Sequence, residues 1–263
     1  MNLSWWEGLV LGLVQGLTEF LPISSSGHLV LAEEVIGFRP PGLYVEVVLH
    51  LATLLSVFVA YWSRIQELLR GLLARSSDAW RYAGLLLLGS VPAAIAGLFF
   101  RDFFERTFES GISLGVQFII TGVILWLTRP ALARATSQRI GWGAALAIGV
   151  AQAFAILPAI SRSGATIATA LWLGIAPGPA AEFSFLMSIV AIAGSGLLEA
   201  RHIPPDADLL STGFVLAFIA ALVSGIWAIR WLVALLRSQR FHAFAPYCVV
   251  LGAFTIIWYL TRP

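Results

Sequence analysis

Lysine is absent from the 263-residue chain: all 16 basic residues are arginine, set against 14 acids for a net charge of +2. Charge of either sign is scarce, at 11% of residues, where a soluble domain carries about 25%. So little polar surface could not coat a water-soluble globule, and the net charge leaves no basic face for nucleic acid. The single cysteine, Cys248, excludes an internal disulfide and a cysteine-based metal cluster. Residues 1–7 contain neither a basic stretch nor a small-residue cleavage site, so no cleavable signal peptide is expected. What the chain has instead is 59% apolar residues and a mean hydropathy of +0.88. It reads as an all-α integral membrane protein, one membrane domain over residues 1–263.

A crossing helix needs about 20 apolar residues. Six segments come close: 43–62, 82–100, 112–128, 178–198, 210–229 and 243–261. Two others, 5–37 and 141–176, are broken near the middle by polar turns, Pro22-Ile23-Ser24-Ser25-Ser26-Gly27-His28 and Pro158-Ala159-Ile160-Ser161-Arg162-Ser163-Gly164. Their arms are short for a crossing and suit re-entrant hairpins. Arginine placement agrees. The 63–81, 129–140 and 230–242 connections are arginine-rich, whereas 101–110 and 199–208 carry more acid than arginine. Positive-inside then puts the first three in the cytoplasm, and the alternation works only if neither broken segment crosses.

Sliding the chain by 137 residues sets Gly12, Gln15, Ile23, Ser24, Ser26 and Gly27 on Gly149, Gln152, Ile160, Ser161, Ser163 and Gly164. A shift of 136 sets Glu46 on Glu182. Repeat one then covers about 1–130 and repeat two about 141–263, each a hairpin followed by three spans. An odd number of spans inverts the second copy, and an inverted-topology repeat places its site near mid-membrane where the halves meet.

Each turn leads into a short helix, whose first amides and partial positive charge make an anion site. Non-helical backbone at this depth survives only in protein or beside a water-filled cavity. Arg162 is costly in a bilayer; it either pins its hairpin to carbonyls or presents a planar fork to phosphate oxygens. Gln15 and Glu19, four apart, share a helix face. Glu19 is a cation ligand, a base or a structural partner for Arg162; His28 is a base, a nucleophile or a hydrogen-bonding core residue. Glu46 and His50 form another i, i+4 pair that either supports the site or satisfies itself, and Glu182 is a further supporting candidate. These groups suit phosphate-ester or diphosphate hydrolysis of a lipid, in which donors stabilise the transferred phosphoryl and a base activates Ser or water.

The run Gln15-Gly-Leu-Thr-Glu19-Phe-Leu-Pro22-Ile-Ser-Ser-Ser-Gly27-His28 resembles the signature of the undecaprenyl-diphosphate phosphatases of the bacitracin-resistance type. Pro158-Ala-Ile-Ser161-Arg162-Ser163-Gly164-Ala-Thr166 is similar to that family's second motif, and the likeness runs the length of the chain. Gln15 stands where many members have Glu, Ala159 replaces a usual Gly, and His50 stands where some relatives have Gln. The resemblance implies hydrolysis of undecaprenyl diphosphate to the monophosphate carrier lipid for cell-wall synthesis. Glu19, Ser25, His28 and Arg162 match the catalytic residues. Gln15, Ser24, Ser26, Gly27, Ser161, Ser163, Gly164 and Thr166 fall to substrate binding. A divalent cation, magnesium or calcium, is implied, with Glu19 as its ligand. The expected setting is the bacterial plasma membrane, with the site open to the outer side, a polyprenyl diphosphate lipid as partner and no nucleic acid. A homodimer is one assembly such a chain allows.

Inverted repeats with broken helices also build transporters, so a transporter or flippase for a phosphorylated lipid or other anion is the alternative. The other family of membrane lipid phosphatases is set aside, because its signature opens with a lysine and needs motif histidines that this chain lacks.

Overall fold

The computed structural model describes residues 3–38, 44–100, 104, 107, 110–199 and 208–261. Eleven helices of two turns or more lie among the described residues: α1 (Trp5–Phe20), α2 (Ser25–Ile36), α3 (Tyr44–Ala60), α4 (Trp62–Leu73), α5 (Ser77–Phe99), α6 (Gly111–Leu127), α7 (Trp142–Phe154), α8 (Arg162–Trp172), α9 (Pro177–Glu199), α10 (Thr212–Arg237) and α11 (Ala245–Thr261). The described residues form no strand, only an isolated bridge between Ser137 and Ile175.

Among the described residues, five helical stretches are long and apolar enough to cross a membrane: Ser77–Phe99, Gly111–Leu132, Pro177–Leu198, Thr212–Arg237 and Phe241–Thr261. The sixth is α3 taken with α4, which bends away from it by 76°. The fold is therefore that of an all-α, multi-pass integral membrane protein. The bend corrects the expectation of a loop over 63–81. Ile65 and Leu68 pack on the apolar core while Trp62, Glu67 and Arg70 are exposed, a spacing that makes α4 an amphipathic helix. Likewise α10 runs on to Arg237, so Arg230 and Arg237 sit on helix rather than in the expected 230–242 loop. Most of the acidic connections 101–110 and 199–208 lie outside the described residues.

The broken segments are helical hairpins. Each arm packs on its partner, α1 on α2 and α7 on α8. At 16, 12, 13 and 11 residues, the arms span roughly 16–24 Å, short of the ~30 Å hydrocarbon core. A capping box starts α1: Ser4 accepts from the Glu7 amide while the Glu7 carboxylate accepts from the Ser4 amide.

Small residues set how the hairpins dock. A Cβ added at Gly12 would lie 2.3 Å from the Ala217 carbonyl oxygen of α10, and one at the equivalent Gly149 would lie 2.3 Å from the Gly89 oxygen of α5. In each half the first hairpin arm thus packs backbone to backbone on a long span of the other. Gly115 of α6 and Gly252 of α11, also 137 apart, face each other: each Cβ would strike the other's carbonyl oxygen, at 2.7 and 2.5 Å. Along this contact Gly111 meets Tyr259 while Gly122 meets Val249 and Ala245, so α6 and α11 run antiparallel. Repeat-related helices that oppose one another are what an inverted repeat requires.

Candidate active site

The two hairpin turns meet inside the bundle and exchange hydroxyls. Ser24 donates to the Pro158 carbonyl at 2.6 Å, and Ser163 donates to the Leu21 carbonyl at 3.1 Å. Leu21 and Pro158 are equivalent positions, so each turn ties down the same carbonyl of the other. Gly27 fits because a Cβ there would lie 2.6 Å from the Phe118 ring and 3.1 Å from Ala159.

Glu19 is the centre of the polar cluster. Its Oε1 accepts from Arg162 Nη2; its Oε2 accepts from Ser25 at 2.5 Å and from the Gln15 amide at 3.1 Å. His50 Nε2 lies 3.9 Å from the same Oε2. Ser25 and Arg162 are themselves 137 apart, so one position in the repeat delivers a hydroxyl from one half and a guanidinium from the other to a single carboxylate. That carboxylate and guanidinium are 6% and 15% exposed. The pair leaves two groups over: Arg162 Nη1 and Gln15 Oε1 are buried with no hydrogen-bond partner among the described residues. An unmet buried polar group costs about 1–3 kcal/mol. The guanidinium nitrogen is thus an N–H donor left without an acceptor beside the Glu19 carboxylate.

The helix start of α2 faces the same place. The amides of Ser25, Ser26 and Gly27 have no protein acceptor among the described residues, and Ser24, the N-cap, offers no side-chain bond to them. Ser24 adopts φ 69° and ψ 110°, a backbone state that costs a non-glycine residue about 1–3 kcal/mol and clusters at functional sites. The second turn is braced instead. Ser161 caps α8 by accepting from the Gly164 amide at 3.0 Å, and its own amide donates to Thr121 at 3.2 Å. Gln117 accepts from the Ala159 amide at 2.9 Å and Thr121 donates to the Ala159 carbonyl at 2.8 Å.

The remaining expected residues divide. Ser161 and Ser163 are buried 3.2 Å apart, within the seam between the turns. Ser26 is partly exposed beside the free amides. Thr166 points the other way, fully buried and bonded to Ser184 at 2.6 Å and to the Arg162 carbonyl at 2.7 Å. The Glu46 carbonyl accepts from His50 Nδ1 at 2.8 Å. Glu182 is not brought to Glu19: it accepts from Arg64 at 2.9 Å and from Tyr82 at 3.1 Å, at the arginine-rich end of the bundle. Repeat equivalence with Glu46 carries position to Glu182 but not surroundings.

Three contributors went unread in the sequence: Gln117, Thr121 and Tyr247. The first two are polar positions four apart inside an apolar span, a signal that was there to use. Tyr247 bonds His28 Nε2 at 2.7 Å, while His28 Nδ1 lies 2.6 Å from the Ser24 carbonyl. A carbonyl only accepts, so Nδ1 carries a proton, and in the neutral ring Nε2 accepts from the tyrosine hydroxyl. His28 is thereby a strut between the strained turn and α11.

The sequence has relatives among known proteins. The family model described as bacitracin resistance protein BacA matches residues 8–254. The chain belongs to the BacA family. It is 41% identical over 96% of its length to a protein of Carboxydothermus hydrogenoformans named undecaprenyl-diphosphatase, covering 96% of that protein. Proteins of the same name from Desulforapulum autotrophicum, at 37%, and Bacteroides fragilis strain NCTC 9343, at 38%, are covered to 97% and 98% by 96% and 97% of this chain.

Proposed function

We propose that this BacA-family chain is an undecaprenyl-diphosphate phosphatase, releasing inorganic phosphate and the monophosphate carrier lipid. The observation that carries the reading is the buried, unpartnered Nη1 of Arg162 beside the open amides of α2. A terminal phosphate seated there would accept from the guanidinium fork and the Ser25–Gly27 amides, donors fixed before the substrate arrives. Ser25 is the nucleophile of this reading. Its hydroxyl already points at Glu19 Oε2, so the proton passes to Glu19 as Oγ bonds to phosphorus and the bridging P–O bond breaks. Glu19 returns the proton to the departing lipid phosphate or bulk, and water then hydrolyses the phosphoserine. Arg162 holds the charge gathering on the transferred group throughout.

The proposal includes a divalent cation. Glu19 and the free Gln15 Oε1 are hard oxygen donors that fit magnesium or calcium. Among the described residues no group of three or more His, Cys, Asp or Glu could hold one, so substrate phosphate oxygens would complete its ligands. Bound there, it would neutralise phosphate charge. The finer placement, a bacterial plasma membrane with the site open to the outer side, rests on the arginine-rich connections facing the cytoplasm. The homodimer allowed by the sequence is carried in the same reading, with a whole site in each copy because Glu19, Ser25, His28 and Arg162 come from one chain. The transporter alternative is not favoured, since the relatives are named for hydrolysis.

Purified protein in detergent, with no gradient or second compartment, is expected to release phosphate from a long-chain prenyl diphosphate. Chelator should abolish release and added magnesium or calcium restore it. No release under any cation would reject the assignment; release indifferent to chelator would reject the cation.

A further inference from the structure

A cavity of about 830 Å³ opens at the arginine-rich end of the bundle. Tyr61, in its wall, packs on Phe185 at 5.8 Å, and Phe185 meets Phe20 edge-on at 5.7 Å. Phe20 follows Glu19, so apolar rings stand between this cavity and the site already described.

Five arginines converge on the hollow from separate elements: Arg64 of α4, Arg81 of α5, Arg139 of the connection before α7, and Arg230 and Arg237 of α10. The acid among them is Glu182. Arg64 is engaged by Glu67 and Glu182, and Arg81 donates to the Ile140 carbonyl at 2.7 Å. The guanidinium groups of Arg139, Arg230 and Arg237 have no hydrogen-bond or ion-pair partner among the described residues. Arg139, Arg230 and Arg237 are themselves solvent-exposed. These line one concavity, where like charges repel and a cleft of one sign gathers counter-ions. Leu85, Ile229 and Val233 give the same cavity apolar lining, together with the Tyr61 and Tyr82 rings, and the Arg64 guanidinium lies over Tyr82 at 5.0 Å.

We propose that this cavity binds a phosphomonoester group, the chemistry that a guanidinium fork recognises best. The group is either the head of a phosphorylated lipid, its chain lying over the apolar wall, or free inorganic phosphate. The site is separate from the Glu19 centre and shares no residue with it.

The test is a titration of dioleoyl phosphatidic acid onto the purified full chain in phosphatidylcholine nanodiscs, with bound lipid counted by native mass spectrometry. Arg230→Gln/Arg237→Gln should weaken binding about tenfold or more and leave prenyl-diphosphate hydrolysis unchanged. Arg237→Gln alone and Arg139→Gln should each weaken it less, which keeps the test open if the double variant does not fold. Glu182→Gln should tighten binding by roughly threefold, because it removes the opposing charge and frees Arg64. Arg162→Ala, which empties the other site, should leave this one intact. Displacement by millimolar inorganic phosphate would identify the free anion as the ligand; lipid binding that phosphate cannot displace would identify the headgroup. Wild-type affinity in the Arg230/Arg237 variant, or loss of all binding in Arg162→Ala, would overturn the proposal.

Discussion

In the turn before α2, Ser24 stands at φ 69°, its hydroxyl reaches across to Pro158, and the next three amides are left open. In the turn before α8, Ser161 stands at φ −68°, caps its own helix, and the backbone on either side is held by Gln117 and Thr121. Both turns carry the same Ser/Gly pattern at the same place in a repeat. The first keeps its strain and three unmet amides; the second is relaxed and braced, with the Arg162 and Ser163 amides alone unmet at its helix start among the described residues, and the side chain it contributes to the centre is one guanidinium. An inverted repeat supplies backbone shape twice, and here the chemistry was divided between the copies. The braced turn fixes Arg162 so that the strained turn can be read against it.

The largest effects should fall where the two turns touch. Glu19→Ala and Arg162→Ala are each expected to lower turnover by ~100-fold or more, the scale of losing a key electrostatic group. The double variant should be little worse than either alone, since both act through one contact. Phosphate-release kinetics on variants whose thermal unfolding has been checked would measure this, and fully additive losses would break the idea of a shared centre.

Ser25→Ala should fall by a similar factor, whereas Ser163→Ala, in the seam, should lose no more than ~10-fold. Equal losses would mean that the turns are not specialised. A direct contrast of the caps comes next. Ser24→Ala keeps the strained backbone but drops the cross-turn bond, so we expect about tenfold in turnover, the kinetic equivalent of one charge-free hydrogen bond lost in positioning. Ser161→Ala should instead cost about 1 kcal/mol of stability through the missing cap while turnover stays within roughly threefold. Tyr247→Phe should be mildest, a loss of about three- to tenfold, because His28 keeps its bond to Ser24. An unchanged rate would demote the tyrosine to packing.

Much of this was legible beforehand, for identifiable reasons. The turns stood out because Pro, Gly and Ser interrupt apolar runs, and the 137-residue shift flagged Ser24 with Ser161 and Gly27 with Gly164. Glu19 and Arg162 stood out because charge at bilayer depth is rare. Other features were hidden. The bend after α3 was masked by arginines at 64, 70 and 75 that made an amphipathic helix resemble a loop. Tyr247 reads as an ordinary residue near a span end until α11 is folded back onto α2. Glu182 was over-read, because repeat alignment maps a residue onto a position without mapping the neighbours that give it a role. The asymmetry between the turns depends on a backbone angle at Ser24 that no residue type announces.

The most direct test is an experimental structure with a prenyl methylene-diphosphonate, whose bridging carbon cannot be hydrolysed. The account predicts terminal phosphonate oxygens about 3 Å from Arg162 Nη1 and from the Ser25–Gly27 amides, with Ser25 facing phosphorus. A diphosphonate seated away from both turns, or one that leaves Nη1 unpaired, would contradict it.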